Sequence, residues 1–508
     1  MDLVLIIFLT AITGCHSARI LGFISVPSYS HQVVFQPLWR ELSLRGHQVT
    51  TLTTDPINDP GLVNLTEIDL SFSYRAWKEM LGVFKHTNSD LLKLHYLIMA
   101  SVEISKKQLE HPQVQDLIRN GSNGFDLFIV EYLSSPAIAL SRRFDCPYIG
   151  VISMPASEPY FSLLGSPTHP VLYPSDVLGI KNCVTFFDRF KSAVFSVLHE
   201  MYYSYYIRLG ENVIKGENDP SLRDVMNNAS LLFINSDPII QKVRAMGPNI
   251  IQIGGGLHRV SEEPLPKRLQ ELLDAASEGA IYFSLGSNLK SDDLSETTRN
   301  AILSAFAELP YTILWKFHSD HLPNKPDNVH VEKWFPQLAV LSHPNVKLFI
   351  TQGGVQSREE AIHSHVPMVG MPFVGDQFYN VENMVEMGFG LSVLPSKLRT
   401  EEFKAVIVEV AENPRYREKI KEVAELSKDQ PMTGLERAVW WTEYVIRHGG
   451  ATHFRSPLLD IPFYQYYFLD VFAVLVILLL APLFFAYRAI IFLWRRWHVS
   501  FGSRIKKD

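Results

Sequence analysis

The chain contains 508 residues, which exceeds one ordinary domain and predicts two or three domains with large hydrophobic cores. A net charge of −6 with 20% charged residues argues against a nucleic-acid-binding protein, because such proteins usually carry a concentrated basic face. Three cysteines are too few for a disulfide scaffold, and no Cys/His cluster or Asp-x-Asp pair offers a metal site, so we predict no metal.

The amino-terminal segment predicts entry into the secretory pathway. Residues 3–9 form an apolar run followed by small and polar residues, so residues 1–17 have the pattern of a cleaved signal peptide, although its usual basic start is missing. An uncleaved signal anchor is the alternative. Three Asn-x-Ser/Thr sequons fit this pathway and predict glycosylation at Asn64, Asn120 and Asn228.

The mature chain opens with a βαβ pattern. Residues 20–26 predict a buried strand, residues 33–44 carry apolar side chains at helical spacing, and residues 49–54 predict the next strand. His31 lies between the first strand and its helix, where open α/β sheets bind ligands. A helix amino terminus disfavours an imidazolium, which would keep this ring neutral and able to act as a base.

Glu131 comes directly after another buried strand, residues 127–130. If the sheet is parallel, the carboxyl ends of both strands lie at one edge, so Glu131 and His31 face the same crevice. The alternatives are ordinary ones: a histidine in a loop is often polar surface, and a glutamate at a strand end often caps a neighbouring element.

Two less regular segments, residues 57–110 and 155–215, are rich in aromatic residues. These residues could line an apolar ligand pocket, contact a membrane or pack in the core, and the sequence does not separate the three roles. They are Phe72, Phe84, Tyr160, Phe161, Phe186, Phe187, Tyr202, Tyr203, Tyr205 and Tyr206.

A glycine-rich stretch separates two predicted domains. Strands at residues 231–235 and 250–253 complete the first domain, and the three consecutive glycines that follow predict the start of a linker. The second domain restarts with a strand at residues 280–285 that runs into a glycine turn at Ser287. We therefore predict domains at residues 18–258 and 259–455, the second including late amphipathic helices.

Residues 346–377 predict a second βαβ unit. A strand at residues 346–351 ends at Gln352-Gly353-Gly354, and a helix opens with Ser357 as its capping residue and acidic residues in its first turn. Another strand follows at residues 366–372, and Asp376-Gln377 stands at its carboxyl end. This order is typical of a parallel sheet.

Such a unit offers a phosphate site, because glycines let the backbone approach an anion and free N–H groups face it at the helix start. A diphosphate is the ligand that we expect such a site to bind. Trp334 could stack on a base, Glu360 could accept hydrogen bonds from ribose hydroxyls, and Asp376 with Gln377 could hold sugar hydroxyls. The alternative is an ordinary βαβ crossover whose glycines only form a turn.

These motifs resemble the signature of the UDP-glycosyltransferases, the family that includes the UDP-glucuronosyltransferases. The resemblance covers the aromatic-x-Pro-Gln box at residues 334–337, the Thr-Gln-Gly-Gly turn at residues 351–354, the Ser-x-x-Glu-Ala helix start at residues 357–361 and the Asp-Gln pair. Many members have His where this chain has Gln352. Gln occurs there among arthropod members, so the resemblance points to an arthropod protein.

The resemblance implies an α/β fold of the GT-B type, with two Rossmann-like domains facing a cleft. The first domain would bind an acceptor and the second a UDP-sugar, which is a co-substrate, and no cofactor is implied. The donor-binding residues implied are Ser287, Trp334, Gln337, Gln352, Gly353, Gly354, Ser357, Glu360, Asp376 and Gln377.

The resemblance also implies a reaction. His31 matches the family's general base in its Pro-Ser-x-Ser-His-x context, and Glu131 stands where many members have the Asp that orients this base. The reaction would be inverting transfer of a hexose, glucose or glucuronate, from a UDP-sugar to a hydroxyl of a small lipophilic acceptor, as in detoxification.

The carboxyl-terminal segment predicts a single membrane span at residues 468–487, with aromatic residues at both ends. Basic residues follow it, so residues 488–508 would form a cytosolic tail and the body would be luminal. Lys506 and Lys507 resemble the family's dilysine signal and imply the endoplasmic reticulum membrane. A buried core helix is the alternative.

Two other functions remain open on the sequence. A family-like body that has lost its chemistry could bind nucleotide sugars or act as a regulatory partner of a related transferase, in a homo- or hetero-oligomer. An enzyme that glycosylates membrane lipids would share the chemistry and differ only in its acceptor.

Overall fold

The computed structural model describes residues 17–85, 90–120, 124–175, 178, 180, 183–257, 264–319 and 321–504. The predicted signal peptide therefore lies outside the described residues, apart from Ser17. Residues up to Arg455 form one compact unit, and residues from Ser456 onward form another.

The strands of the first unit, in chain order, are β1 Arg19–Phe23, β2 Gln48–Thr53, β3 Leu65–Asp69, β4 Leu127–Glu131, β5 Tyr148–Ile152, β6 Leu231–Ile234, β7 Ile250–Gln252, β8 Ala280–Ser284, β9 Thr312–Lys316, β10 Val329–Glu332, β11 Val346–Thr351, β12 Met368–Gly370 and β13 Gly390–Ser392.

The helices of both units, in chain order, are α1 Tyr29–Gln32, α2 Gln36–Leu44, α3 Ser73–Lys85, α4 Asp90–Leu109, α5 Pro112–Asn120, α6 Ser135–Ala139, α7 Glu158–Leu163, α8 Phe186–Glu211, α9 Leu222–Asn227, α10 Lys267–Asp274, α11 Glu296–Ala307, α12 Gln337–Leu341, α13 Val355–His363, α14 Asp376–Glu386, α15 Thr400–Glu412, α16 Pro414–Lys428, α17 Gly434–His448, α18 Phe463–Tyr466 and α19 Leu469–Arg504.

The strands form two sheets. One has the order β3-β2-β1-β4-β5-β6-β7 and the other β10-β9-β8-β11-β12-β13, and neighbouring strands are parallel throughout. The chain order reverses between β1 and β4 in the first sheet and between β8 and β11 in the second. Open α/β sheets bind ligands at such reversals, beyond the carboxyl ends of the strands.

Both faces of the first sheet are buried, which explains its continuous apolar strands. Leu21 and Phe23 pack into one hydrophobic cluster, whereas Ile20 packs into another. Phe128 and Ile129 divide between the same two clusters. Successive strand residues point to opposite faces, so only a sheet covered on both sides makes every position apolar.

The helix after β1 differs from the prediction. A one-turn helix, α1, carries His31, and the long helix begins only at Gln36, with Pro37 in its first turn, where the missing N–H of proline has no cost. His31 is thus the third residue of a separate short turn. The prediction that His31 lies between the strand and its helix is therefore wrong, because the residue lies within α1.

Helix α17 packs with the first domain, although the sequence places it in the second. Ala438, Val439 and Val445 join the cluster that contains Leu38 and Leu42 of α2. Arg437 Nη1 also donates a hydrogen bond to the carbonyl of Gln252, at 2.8 Å. The apolar stripe was recognised, but periodicity does not specify which surface a stripe covers.

Among the described residues, α19 is the one helix whose length and composition suit a membrane span, over Leu469–His498. It begins one residue after the predicted boundary, because Phe468 has a left-handed backbone with φ of 55°. It continues to Arg504, so the predicted tail begins within the same helix, and Pro482 lies in its interior.

The three predicted glycosylation sites differ in exposure. Asn120 and Asn228 are exposed, whereas Asn64 is partly buried and its amide donates to the carbonyl of Ser43 at 3.2 Å. Their glycosylation stays a prediction. Cys146 and Cys183 are both free thiols.

We expect deletion of residues 465–508 to release a soluble body from membranes, because α19 is the one described helix that suits a span. Carbonate extraction followed by centrifugation measures this, with the full-length chain as the control that stays in the pellet. Carbonate-resistant retention of the truncated chain would contradict the assignment of α19 as the anchor.

Candidate active site

A buried pair of side chains, His31 and Glu131, stands at the reversal of the first sheet. His31 Nδ1 lies 2.7 Å from one carboxylate oxygen of Glu131, which is 0% exposed. The other oxygen accepts hydrogen bonds from Val26 N at 2.7 Å and Ser25 Oγ at 3.1 Å. Because Nδ1 is engaged, Nε2 is the ring nitrogen left to exchange a proton with a ligand.

The topology explains why residues 100 positions apart meet. Glu131 is the last residue of β4, and His31 follows β1, its parallel neighbour. Ser25 and Val26 belong to the loop between β1 and α1, and His31 belongs to α1 itself. The Glu131 carboxylate therefore contacts both this loop and the short helix that follows it. The structure thus brings the two predicted catalytic residues together, and their roles stay predictions.

A cavity of about 800 Å³ lies between the two sheets of the first unit. His31 lines it from the first domain. All predicted donor-site residues except Gly353 line it from the second: Ser287, Trp334, Gln337, Gln352, Gly354, Ser357, Glu360, Asp376 and Gln377. Ser287 follows β8 and Gln352 follows β11, so these side chains stand at the reversal of the second sheet.

Helix α13 presents an open amino end to this cavity. Gly354 is its N-cap and supplies no side-chain hydrogen bond, so the prediction that Ser357 caps the helix was wrong. The predicted acidic first turn is also absent, because the helix begins three residues earlier than expected. Free N–H groups at an uncapped helix start are suited to an anion.

Ser357 instead belongs to a polar cluster with Gln337 and Glu360. Gln337 Nε2 donates to Ser357 Oγ at 3.0 Å and to Glu360 Oε2 at 2.7 Å. Gln337 opens α12, directly after the loop that carries Trp334. One amide therefore fixes the loop of the aromatic box against the glycine-turn helix.

Glycines let the two turns of the second sheet approach their neighbours. Gly286 has φ of 79°, and a Cβ there would lie 2.3 Å from Gln352 Nε2. Gly353 has φ of 87°, and a Cβ on either Gly353 or Gly370 would lie 2.5 Å from Val381 of α14. The buried Oε1 of Gln352 has no hydrogen-bond partner among the described residues.

Asp376 and Gln377 open α14 at the cavity. Asp376 is exposed as a residue, but the protein atoms around its carboxylate desolvate that group and raise its pKa. The hydrogen bond from the Asn380 amide, at 2.9 Å, acts in the opposite direction and lowers the pKa. Gln377 Oε1 accepts from the N–H groups of Phe373 and Val374, at 2.9 and 3.1 Å. Gln377 thereby holds its own loop, and its amide nitrogen remains for a ligand.

Trp334 is 53% exposed and its ring has two neighbours. Lys316 Nζ lies 4.0 Å from the ring centroid and also donates to the carbonyl of Gly286 at 3.1 Å. Tyr29 meets the ring edge to face, with centroids 5.3 Å apart. Burial lowers the pKa of Lys316 from 10.5 to about 8.

Sequence reasoning missed Lys316, Asn288, Tyr29 and Ser25. Lys316 had a usable signal, since it ends the apolar strand β9 in the same way that Glu131 ends β4. Asn288 and Tyr29 gave no such signal, because their contacts cross between the domains.

Among the side chains that the structure describes, the aromatic residues of the two irregular segments do not line the cavity. Tyr160, Phe161, Tyr203 and Tyr206 are buried in the core of the first domain. Phe72, Phe186, Phe187 and Tyr205 are exposed, and Tyr202 is half-buried. The side chain of Phe84 lies outside the description.

The described residues contain no group of three or more His, Cys, Asp or Glu side chains placed to hold a metal ion. The absence of a metal requirement stays a prediction.

Comparisons with known proteins agree with this geometry. A family model described as "UDP-glucoronosyl and UDP-glucosyl transferase" matches residues 23–504. The chain is 34% identical over 450 residues to an ecdysteroid UDP-glucosyltransferase of Mamestra brassicae nuclear polyhedrosis virus, covering 85% of each chain. It is 31% identical over 489 residues to UDP-glycosyltransferase UGT5 of Dactylopius coccus, covering 94% of this chain and 92% of that one.

Solved structures show the same fold. The crystal structure of TcCGT1 in complex with UDP aligns with a TM-score of 0.58 at 16% identity, over 85% of this chain and 100% of that chain. The glycotransferase of kitacinnamycin aligns with a TM-score of 0.58 at 22% identity, over 84% and 99%. The predicted GT-B architecture with two Rossmann-like domains is confirmed, as is the resemblance to arthropod relatives.

Proposed function

The chain belongs to the family of UDP-glucuronosyl and UDP-glucosyl transferases, enzymes that move a glycosyl group from a UDP-sugar to an acceptor, and from that premise we propose its specific reaction. It transfers a hexose, with inversion, to a hydroxyl of a small lipophilic acceptor, and His31 is the general base. The observation that carries this proposal is the 2.7 Å contact between His31 and the buried Glu131, at the cavity that also holds the donor motifs.

The proposed reaction is a single displacement at the anomeric carbon. The acceptor oxygen forms a bond to the anomeric carbon while the bond from that carbon to the UDP oxygen breaks, and UDP leaves with the electron pair. The acceptor proton moves to His31 Nε2. Glu131 accepts the Nδ1 hydrogen bond and stabilises the imidazolium as it forms, so proton removal and attack proceed together.

Fixed donors of the second domain would stabilise the charge that develops on UDP. The uncapped start of α13 and the turn at Gly286-Ser287 both reach the cavity, and Lys316 adds a positive charge beside them. We propose that these groups make a metal unnecessary. Trp334 would stack on the base, Glu360 would accept from the ribose, and Asp376 with Gln377 would hold the hexose.

The glutamate at position 131 supports catalysis rather than its loss. Its longer side chain reaches His31 at hydrogen-bond distance while its second oxygen satisfies Ser25 and Val26. The alternative of a catalytically impaired binding partner is supported only by two departures from the family pattern, Gln352 and Glu131. The contact between Glu131 and His31 weakens the second of these and supports the proposed catalytic pair.

The names of the relatives support the choice of substrates. Several similar proteins are named UDP-glucosyltransferases, and viral ones are named for ecdysteroids, which are lipophilic and carry hydroxyls. We therefore propose glucose rather than glucuronate as the transferred sugar, and a steroid-like or phenolic acceptor. Such a reaction suits detoxification or hormone inactivation.

We further propose that the protein is a single-pass glycoprotein of the endoplasmic reticulum membrane with a luminal body. The apolar helix α19 and the basic residues at its carboxyl-terminal end support this orientation. The exposed side chains of Asn120 and Asn228 support a luminal body, since glycosylation occurs in that compartment.

Trp334→Ala and Glu360→Ala should each weaken UDP binding about tenfold or more. Stacking on one base is worth roughly 1–3 kcal/mol, and a hydrogen bond to a charged group roughly 1.5–3 kcal/mol. Calorimetric titration of the full-length chain with UDP measures the loss. Trp440→Ala is the matched control, because Trp440 is similarly exposed but lies outside the cavity. Unchanged UDP affinity in folded variants would remove the donor-site assignment.

UDP affinity should fall as the pH rises from 7 to 9. The lowered pKa of Lys316 leaves its ammonium mostly charged at pH 7 and mostly neutral at pH 9, so attraction to the diphosphate is lost across this interval. We expect roughly a five- to tenfold loss, because the charged fraction of Lys316 falls about tenfold between these two pH values. In Lys316→Met the affinity should be low and flat, whereas Lys347→Met, outside the cavity, should keep the wild-type profile. A pH-dependent Lys316→Met would refute this role.

His31→Ala should lower kcat by roughly 10²–10⁴-fold and leave UDP affinity almost unchanged, since the residue acts on the acceptor proton. Glu131→Asp should also lower kcat, because a side chain one methylene shorter on a fixed strand end cannot hold both His31 and the Val26 N–H. UDP-glucose with a panel of phenols and steroids supplies the assay. Equal turnover by wild type and His31→Ala would end the general-base assignment, and tight UDP-sugar binding without turnover would favour the non-catalytic alternative.

A further inference from the structure

Two residues just before His31 contact the donor side of the cleft. Asn288 Nδ2, in the loop after β8, lies 3.0 Å from Ser28 Oγ, and Asn288 Oδ1 lies 3.3 Å from the same oxygen. Tyr29, the next residue, meets Trp334 edge to face. The short turn that carries the proposed base is therefore held by the nucleotide-binding domain as well as by its own.

Ser28 is the N-cap of α1, yet its hydroxyl does not cap the helix. An N-cap serine ordinarily accepts a hydrogen bond from the N–H of the second or third helical residue, which here are Ser30 and His31. Instead, the fully buried Ser28 hydroxyl faces Asn288 and lies 3.1 Å from Ser30 Oγ. The Ser28 hydroxyl could stabilise the turn of His31 within the first domain. It instead forms a hydrogen bond with Asn288 of the second domain, across the cleft.

Asn288 Nδ2 donates to Ser28 Oγ in the shorter contact, and the hydroxyls of Ser28 and Ser30 share a hydrogen bond in which either can be the donor. Hydrogen bonds therefore connect the donor loop through Ser28 to Ser30, the neighbour of His31. Loss of Asn288 would free Ser28 to cap α1 instead and would change the turn that holds the base.

We propose that Asn288 is a positioning residue that couples binding of the UDP-sugar in the second domain to the placement of His31. The inference rests on the proposed function, because it takes His31 as the base. Asn288 belongs to the loop after β8, which faces the proposed donor site, but it would act on the group that removes the acceptor proton. When the UDP-sugar binds against this loop, Asn288 would hold the turn of His31 in the position that the reaction needs.

The test is a set of kcat measurements on the full-length chain, with UDP-glucose and the best phenol or steroid acceptor. Asn288→Ala and Ser28→Ala should each lower kcat roughly three- to tenfold, the range that one neutral hydrogen bond supports. The double variant should be no slower than the slower single variant, since both remove the same contact. Lys290→Ala, on the same loop but outside the cavity lining, should keep the wild-type kcat.

A background without the base separates positioning from a direct contact with UDP. In His31→Ala, the further change Asn288→Ala should leave the residual rate unchanged, because the group it positions is gone. An equal loss in both backgrounds, or additive losses for Ser28 and Asn288, would overturn the inference. A slow His31→Ala together with a fully active Asn288→Ala would also overturn it while leaving the proposed function intact.

A second readout needs no turnover. Hydrogen exchange of the His31 and Gln32 amides, which donate to the Ser28 carbonyl at 2.9 and 3.3 Å, should slow when UDP binds the wild-type chain. Asn288→Ala should lose this protection while still binding UDP. Equal UDP protection in wild type and Asn288→Ala would overturn the coupling even if no acceptor were turned over.

Discussion

The buried carboxylate of Glu131 is the constraint on which the first domain's side of the cavity depends. A charge without access to water must find donors within the fold, and this one finds them in Val26, Ser25 and His31. All three belong to the segment after β1, so one side chain at the end of β4 fixes the whole segment. Removing a partner from such a buried charge typically costs about 3–5 kcal/mol, so the three contacts also contribute to the stability of the first domain.

The two sheets apply the same topological solution twice. In each, the chain order reverses between two parallel neighbours, and the side chains that follow those two strands meet. The first reversal assembles His31 and Glu131, and the second assembles Ser287 with the Gln352 turn. Because both reversals reach one cavity, the proposed proton acceptor and the proposed anion site come from domains that each fold around their own cores.

Strand ends were predictable from the sequence, and the details that cross between elements were not. The meeting of His31 and Glu131 followed from two buried strands and the assumption of a parallel sheet. The cap of α13 was misread because Ser357 satisfies the local rule for a cap, while its hydroxyl is taken by Gln337. The packing of α17 was assigned to the wrong domain, because an apolar stripe does not indicate which surface it packs against. Asn288 was missed because its partner, Ser28, lies 260 positions away in the sequence.

The side chain of Val381 limits how this enzyme can diverge. Its methyl groups fill the space left by Gly353 and Gly370, so the helix that begins with Asp376 sits against backbone on two sides. A larger residue at either glycine would need a smaller one at 381 in the same step, and each change alone would leave a clash or a void. In the proposed donor site, single mutations can therefore alter sugar preference by exchanging the side chains at 376 and 377, whereas moving their helix requires at least two. Evolution of donor choice in this lineage should run through side-chain replacement on a stationary backbone.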